Sequence, residues 1–371
     1  APPPGMAELR RQAAELIRQR ALSGLPRLRL HLPNASSALR YDRAEGLFLG
    51  AGLTWTAGNR TSLDAAAGYA FGRNRVSGST VLHRQLGTGS EIRLRLGLDE
   101  PRDIGPFPGA PAALNTLAGA FTGTDWIDPY AATGAGIEFD HALGRRWSAH
   151  LSLAAERHES LQRAVADPLF TSDTFRTVLP VAEGTLRAAT LSLRRAASPG
   201  TRSDWAARLA LEGGTLAGDA FARSILRAEH NRRTVDQKTR LEVTGVAGLA
   251  LGDNGIPAQR LFLLGGRGTL PGYAYRSIVA DRFALIGLQA SHQIRAPWLS
   301  LRASAAAGWT DLDVDPPAGW PAPVAGGLRA SVGIGLGFFD EVGRLDLARG
   351  LHDGGEWQLL FSIDPRLWGI L

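Results

Sequence analysis

The chain has 371 residues, 44% of them hydrophobic and 20% charged, with 45 glycines and no cysteine. The missing cysteines exclude disulfide staples, thiol nucleophiles and zinc–thiolate centres together. The formal charge of +6 is almost wholly arginine, with Lys238 the lone lysine. These arginines are scattered through short alternating segments rather than gathered into a basic stripe, which argues against a nucleic-acid partner.

The N-terminal residues 1–24 form the first unit. Met6 to Leu22 carries Leu9, Ala13, Leu16 and Ile17 on one stripe with arginines elsewhere, the pattern of an amphipathic helix or the remnant of an upstream domain. Ala1 opens without the profile of a signal peptide, as expected of a mature chain or an excised domain. No run of about 18 apolar residues is present, so no transmembrane helix is expected.

From residue 25 onward the dominant period is two. Ile92, Leu94, Leu96 and Leu98 face one way, and Glu91, Arg93, Arg95 and Gly97 the other. Trp147, Ala149, Leu151 and Leu153 oppose Ser148, His150, Ser152 and Ala154 in the same manner. Strands are expected near 45–57, 61–72, 75–85, 90–99, 132–142, 145–157, 184–195, 203–216, 219–231, 237–251, 281–295, 297–310, 327–339, 342–350 and 355–363. The polar face is arginine, glutamate, serine and glycine rather than lysine and threonine, and the strands are about ten residues long. Lipid outside and a wet lumen inside account for both features.

The connections give a second signal. The long ones, 100–131, 158–183, 252–280 and 311–326, all fall on one parity, and those between them are short. This is the asymmetry of outer-membrane barrels. A closed bacterial barrel needs an even strand count, so Arg27 to His31 supplies a further strand ahead of 45–57. The expected fold is therefore all-β, an antiparallel transmembrane barrel over residues 25–371 with sixteen strands, or fourteen as the fallback. Pro111 to Gly119 reads as a short helix inside the first long connection. Trp55, Tyr69, Trp147, Trp205, Trp298, Trp309, Trp357 and Trp368 recur near strand ends, as in girdles at the two membrane interfaces.

Catalytic and metal chemistry find no foothold in the spacing. The eight histidines, at 31, 83, 141, 150, 158, 230, 292 and 352, are spread singly without His-x-x-x-His spacing. No Gly-x-Ser-x-Gly elbow is present, and Gly265-Gly-Arg-Gly268 lacks the Gly-Lys-Ser/Thr ending of a phosphate loop. The sequence thus predicts no catalytic residues, no metal and no cofactor.

The third long connection reads Leu261-Phe-Leu-Leu-Gly-Gly-Arg-Gly-Thr-Leu-Pro-Gly-Tyr273, then Ala-Tyr-Arg276. It resembles the bacterial surface antigen family, the BamA and TamA type of outer-membrane insertases and their two-partner secretion relatives. In that family the loop between strands eleven and twelve folds into the lumen and carries Gly-Gly followed by an Arg-Gly-Tyr or Arg-Gly-Phe tip. The strand parity places residues 252–280 between the same two strands. The closing stretch, Arg329 to Phe338, Asp340 to Gly350 and Trp357 to Phe361, is similar to the family's last three strands. Two departures stand out: Pro271 occupies the place of the tip arginine, and the thirteenth strand reads Ala306-Ala-Gly308 where Asp-x-Gly is common.

By this resemblance the lumen-loop motif comprises Gly265, Gly266, Arg267, Gly268, Gly272, Tyr273 and Arg276. Arg267 or Arg276 would make the lid-to-wall ion pair, with Asp346 as an acidic partner. The resemblance implies a bacterial outer-membrane protein that assists outer-membrane protein insertion or polypeptide translocation by opening at the seam between first and last strands. Its partners would be outer-membrane lipid and unfolded outer-membrane or secreted polypeptide clients. The family carries periplasmic receiving domains ahead of its barrel, so the alternative is a pore, a receptor or the membrane anchor of a larger protein.

Overall fold

The computed structural model describes residues 27–32, 34–107, 109–198, 201–322 and 326–363. The expected helix within residues 1–24 and the girdle residue Trp368 lie outside them.

Fifteen long strands follow the alternating segments closely: β3 (Gly46–Ala57), β4 (Thr61–Ala70), β5 (Arg75–Gln85), β6 (Ser90–Asp103), β7 (Pro129–Ala142), β8 (Trp147–Ser160), β9 (Gly184–Arg195), β10 (Ser203–Leu216), β11 (Asp219–Arg233), β12 (Thr239–Gly252), β15 (Arg282–Arg295), β16 (Leu299–Asp311), β17 (Gly327–Phe338), β18 (Gly343–Gly350) and β19 (Trp357–Ile363). Each pairs antiparallel with its chain neighbours, from β3–β4 to β18–β19.

The remaining strand is built in two pieces, β1 (Leu28–Leu30) and β2 (Leu39–Asp42), both on the free edge of β3. Leu30 pairs with Leu53 and Leu39 with Leu49, so the segment between them loops out of the ladder. Within that excursion Asn34 accepts from the Ser37 amide at 2.9 Å and caps a 3-10 turn at Ala35–Ser37. Counting the interrupted strand as one, the sheet has the sixteen positions the parity required, and residues 253–281 lie between the eleventh and twelfth.

That this sheet rolls into a barrel follows from what one loop touches. Residues 253–281 bond to Asp103 at the end of β6, pack on Phe283 of β15 and bond to Gln358 of β19. A flat sheet could not present its fifth, twelfth and sixteenth strands to one hairpin. The strand registers begin with β1 and β2 on β3 and end with β19 on β18, so the first and last strands meet at the seam.

The outward face is an apolar belt in which Leu53, Leu96, Leu153, Leu211, Leu288, Ile334 and Leu359 are exposed. Continuous apolar surface on this scale is what a bilayer covers. Trp55, Trp147, Trp205 and Trp298 mark the short-turn margin of the belt, and Trp309 and Trp357 the long-loop margin. The inward face carries ion pairs between strands, Arg93 with Glu138 of the neighbouring β7 at 2.7 Å and Arg102 with Glu156 of β8, one strand further on, at 3.1 Å. Charges crowded on one wall are satisfied by pairing with opposite charges on it.

Candidate functional site: the lumen loop and its two anchorages

Leu261 to Leu264 breaks the alternation with four apolar residues in a row, because both faces of this hairpin are buried. Strand β13 (Phe262–Leu264) pairs with β14 (Ile278–Ala280), and every residue of both is buried. Even-numbered Phe262, Leu264, Ile278 and Ala280 pack on the wall at Val246, Ala250, Phe283 and Leu285. Odd-numbered Leu261, Leu263 and Val279 pack against Ile104, Leu179, Val181 and Trp320 from the other three long connections. The hairpin is thus the keystone of a dome made by all four loops. The ring of Phe262 meets Phe283 edge-on at 4.8 Å. Gly248 makes room for both rings: a Cβ there would lie 2.3 Å from Phe283 and 2.8 Å from Phe262.

In the first long connection, helix α1 (Ala112–Thr122) realises the short helix expected at Pro111 to Gly119, extended by one turn to the left-handed cap at Gly123. It holds Asn115, whose side chain donates to Asp125 at 3.0 Å and accepts from the Trp126 amide at 2.7 Å. This fixes the Asp125-Trp-Ile-Asp128 turn, where the first anchorage forms.

Arg276 is 3% exposed and bonds both Asp103 oxygens, at 2.8 and 2.6 Å, and Asp128 at 2.8 Å. Asp128 also receives Arg43 at 2.5 Å and Arg176 at 2.8 Å, and Arg43 reaches Asp125 at 2.9 Å. Burial alone would raise the Asp128 pKa, but Arg176, Arg276 and Arg43 outweigh it and hold the carboxyl below its ordinary range. Burial likewise works against the Arg276 charge, and Asp103 outweighs it, leaving the guanidinium more strongly protonated than usual. Arg276 adopts a left-handed backbone, φ 55°, a conformation costing a non-glycine residue roughly 1–2 kcal/mol that the ion cluster must hold in place.

The second anchorage is neutral and lies at the tip. The Gly272 amide donates to Gln358 Oε1 at 2.9 Å, Gln358 Nε2 donates to the Tyr273 carbonyl at 2.8 Å, and the Glu356 amide donates to the Gly272 carbonyl at 2.8 Å. The Tyr273 hydroxyl donates to the Ala330 carbonyl at 3.1 Å and accepts from the His352 amide at 3.2 Å. The tip is therefore sewn to β17, to β19 and to the connection between β18 and β19. Only glycine fits at 272: φ is +82°, and a Cβ would stand 2.2 Å from the Gly350 nitrogen.

The structure assigns the expected lock differently. Asp346 bonds Arg302 at 3.0 Å rather than a loop arginine, because Arg302, Gly335 and Asp346 share one row of the wall and the glycine between them leaves the reach open. Arg267 forms no ion pair among the described residues: its Nε and Nη1 have no hydrogen-bond partner, and its guanidinium lies 5.6 Å from the Trp126 ring. Burial pulls its pKa down, with Tyr275 and Asp346 opposing. Gly265 and Gly266 are buried and shape the start of the tip, where the Gly266 amide donates to the Leu270 carbonyl at 3.0 Å, while Gly268 is exposed. Sequence reasoning missed Arg43, Asp103, Asp125, Asp128, Arg176 and Gln358. The one legible trace was an acidic pair three residues apart, Asp125 and Asp128, in a segment otherwise read as loop.

Glu138, Asp140 and His150 also meet on the lumen wall, with ligand atoms within 4.8 Å of one another, a grouping no local spacing revealed. Arg93 already pairs with both carboxylates, at 2.7 and 2.5 Å.

No family model and no curated protein matches the chain. Among solved structures, BamA from Haemophilus ducreyi lacking POTRA domains 1–3 superposes with a TM-score of 0.59 at 11% identity, covering 96% of this chain and 77% of that one. CdiB from Acinetobacter baumannii aligns with a TM-score of 0.48 at 14% identity, over 91% of this chain and 60% of its own. OccK11 from Pseudomonas aeruginosa gives 0.36 at 12% identity, over 87% and 90%. The first of these shows what the geometry has built: this chain has the all-β fold of a BamA-like outer-membrane barrel.

Proposed function

We propose that this protein is a bacterial outer-membrane barrel of the insertase or translocator kind, closed at rest by the 253–281 loop and opened at the seam beside β19. The observation that carries the reading is the tip anchorage. The loop that plugs the dome is bonded to Gln358 on the strand that borders the seam, so plug and seam cannot move independently. Freed strand edges at β19 and at β1–β2 would offer unpaired amides and carbonyls on which a client strand can pair, which needs no nucleotide or cofactor. The partners are membrane lipid and unfolded outer-membrane or secreted polypeptide. The fold shared with BamA supports the class of activity, and the chemistry of the edge supports the strand-pairing step.

The test is catalysed folding. An unfolded outer-membrane barrel protein is added to vesicles with and without this chain, and its insertion is followed by the gel shift that separates folded from heat-denatured barrels. A faster insertion that Gln358→Leu alters supports the proposal. Equal rates with and without the chain overturn it and leave a pore, receptor or anchor barrel as the reading.

A further inference from the structure

The two rims of the barrel differ in how their charges are satisfied. On the long-loop rim several cations meet acids, though Arg75 and Arg187 form no ion pair among the described residues: Arg223 pairs with Glu212 at 2.8 Å, Arg157 with Glu159 at 2.8 Å, and Arg282 with Asp311 at 2.7 Å. On the short-turn rim, Arg60, Arg84, Arg145, Arg202, Arg232 and Arg295 are all exposed, and none forms an ion pair among the described residues. Acids on the same rim are engaged elsewhere, and one of them, Asp204, also takes Arg146 at 3.9 Å. Asp204 pairs with Arg195 at 3.4 Å, and Asp236 accepts from the Thr234 hydroxyl at 2.5 Å and the Lys238 amide at 3.1 Å.

Strand register fixes which way two of these arginines, Arg232 and Arg84, point. Trp205 lies opposite His230, His230 opposite Val243, and Val243 opposite Leu288, a row of the exposed apolar belt. The next row toward the turns is Ser203, Arg232, Leu241 and Ala290 on the same face. Arg84 shares its face with Leu82 and Leu94 in the same way. Hydroxyl–imidazole pairs stand at this level too, Ser90 with His141 at 2.8 Å and Thr239 with His292 at 2.9 Å. A guanidinium just beyond a tryptophan margin, facing outward and lacking an acid, sits at the depth of lipid phosphates.

We propose that the short-turn rim is a docking surface for the headgroups of anionic phospholipid in the leaflet it borders, with the arginine ring supplying charge and the tryptophan ring setting depth. The inference rests on the membrane-spanning reading of the barrel but not on insertase activity.

The measurement is the relative association of spin-labelled phosphatidylglycerol and phosphatidylcholine with the intact protein reconstituted in phosphatidylcholine vesicles. The unaltered chain is expected to prefer phosphatidylglycerol. Arg202→Gln/Arg232→Gln lowers that preference by up to about fivefold per cation removed, whereas Arg75→Gln, on the other rim, leaves it unchanged. Raising salt erases the preference in the unaltered chain without any substitution. Equal association of the two lipids, a preference indifferent to salt, or an equal loss in Arg75→Gln would each overturn the proposal. Release of the labelled lipid by inorganic phosphate at matched ionic strength, with no selectivity between headgroups, would show a simple phosphate site and overturn it as well.

Discussion

The lumen loop is held at two ends by opposite kinds of chemistry. Its return arm is fixed through Arg276 to Asp103 and Asp128, a buried ion cluster that also gathers Arg43 and Arg176 from the β2–β3 turn and the second long loop. Its tip is fixed through amides and one phenol to β17, to β19 and to the connection before β19, with no ion pair involved. A buried ion pair gains little over apolar packing, yet losing one member strands the others without solvent, so such a cluster resists being opened stepwise. Neutral bonds of about 1 kcal/mol each can be exchanged for water or for another backbone. The charged end is thus suited to stay, and the neutral end, beside the seam, to let go.

Breaking the comparison at its charged end gives the largest effect. Asp128→Ala leaves three guanidinium groups without their shared carboxylate and is expected to cost about 3–5 kcal/mol, read as a fall in the temperature at which the barrel loses its folded gel mobility. Acid should act on the same group. A carboxyl held below its unfolded value contributes stability above about pH 4 that is lost as pH falls through the lowered folded-state value. Stability should therefore decline below about pH 4, and Asp128→Asn should flatten that decline; an unchanged slope contradicts the assignment.

At the neutral end, Gly272→Ala introduces a Cβ against the Gly350 backbone and is expected to displace the tip at a cost of about 1–3 kcal/mol, seen as faster amide exchange at Glu356. Tyr273→Phe removes one hydroxyl with two partners and should cost about 1 kcal/mol without disturbing the ion cluster. The smallest effect belongs to Arg267→Gln, expected within about 0.5 kcal/mol of the parent because this arginine has no acid to lose. A large loss at Arg267 and a small one at Arg276 would invert the account.

The wall was legible in the sequence because each strand carries its own evidence: Leu94 and Arg93 need different solvents whatever else the chain does. The ends were less so. Strands β6, β7 and β8 extend to Asp103, from Pro129 and to Ser160, beyond the apolar–polar alternation, because above the belt both faces meet protein and the period fades. The first strand was visible at Arg27 to His31, but its second half at Leu39–Asp42 was hidden by the capped turn at Asn34. The glycine-rich loop announced itself by composition. Its partners did not, since Asp103, Asp128 and Gln358 lie 173, 148 and 85 or 86 positions from the residues they bind, and no local pattern spans such distances. Asp346 looked suitable because nothing local marks Arg302, 44 positions away, as its actual partner.

The central claim is that the tip, held to the seam strands, seals the lumen. With an Arg276→Gln chain as the control for the arginine lost alongside, replacing residues 265–277 with Asn-Gly joins Leu264 to its partner Ile278 by a two-residue turn and keeps the β13–β14 hairpin while removing the tip. Planar-bilayer recordings of this chain and the parent give the most direct test. The account predicts that the parent is nearly silent and that the tipless chain shows large, stable conductance steps. Equal conductance in the two would contradict it, leaving the seal to the packed dome and the tip without a gating role.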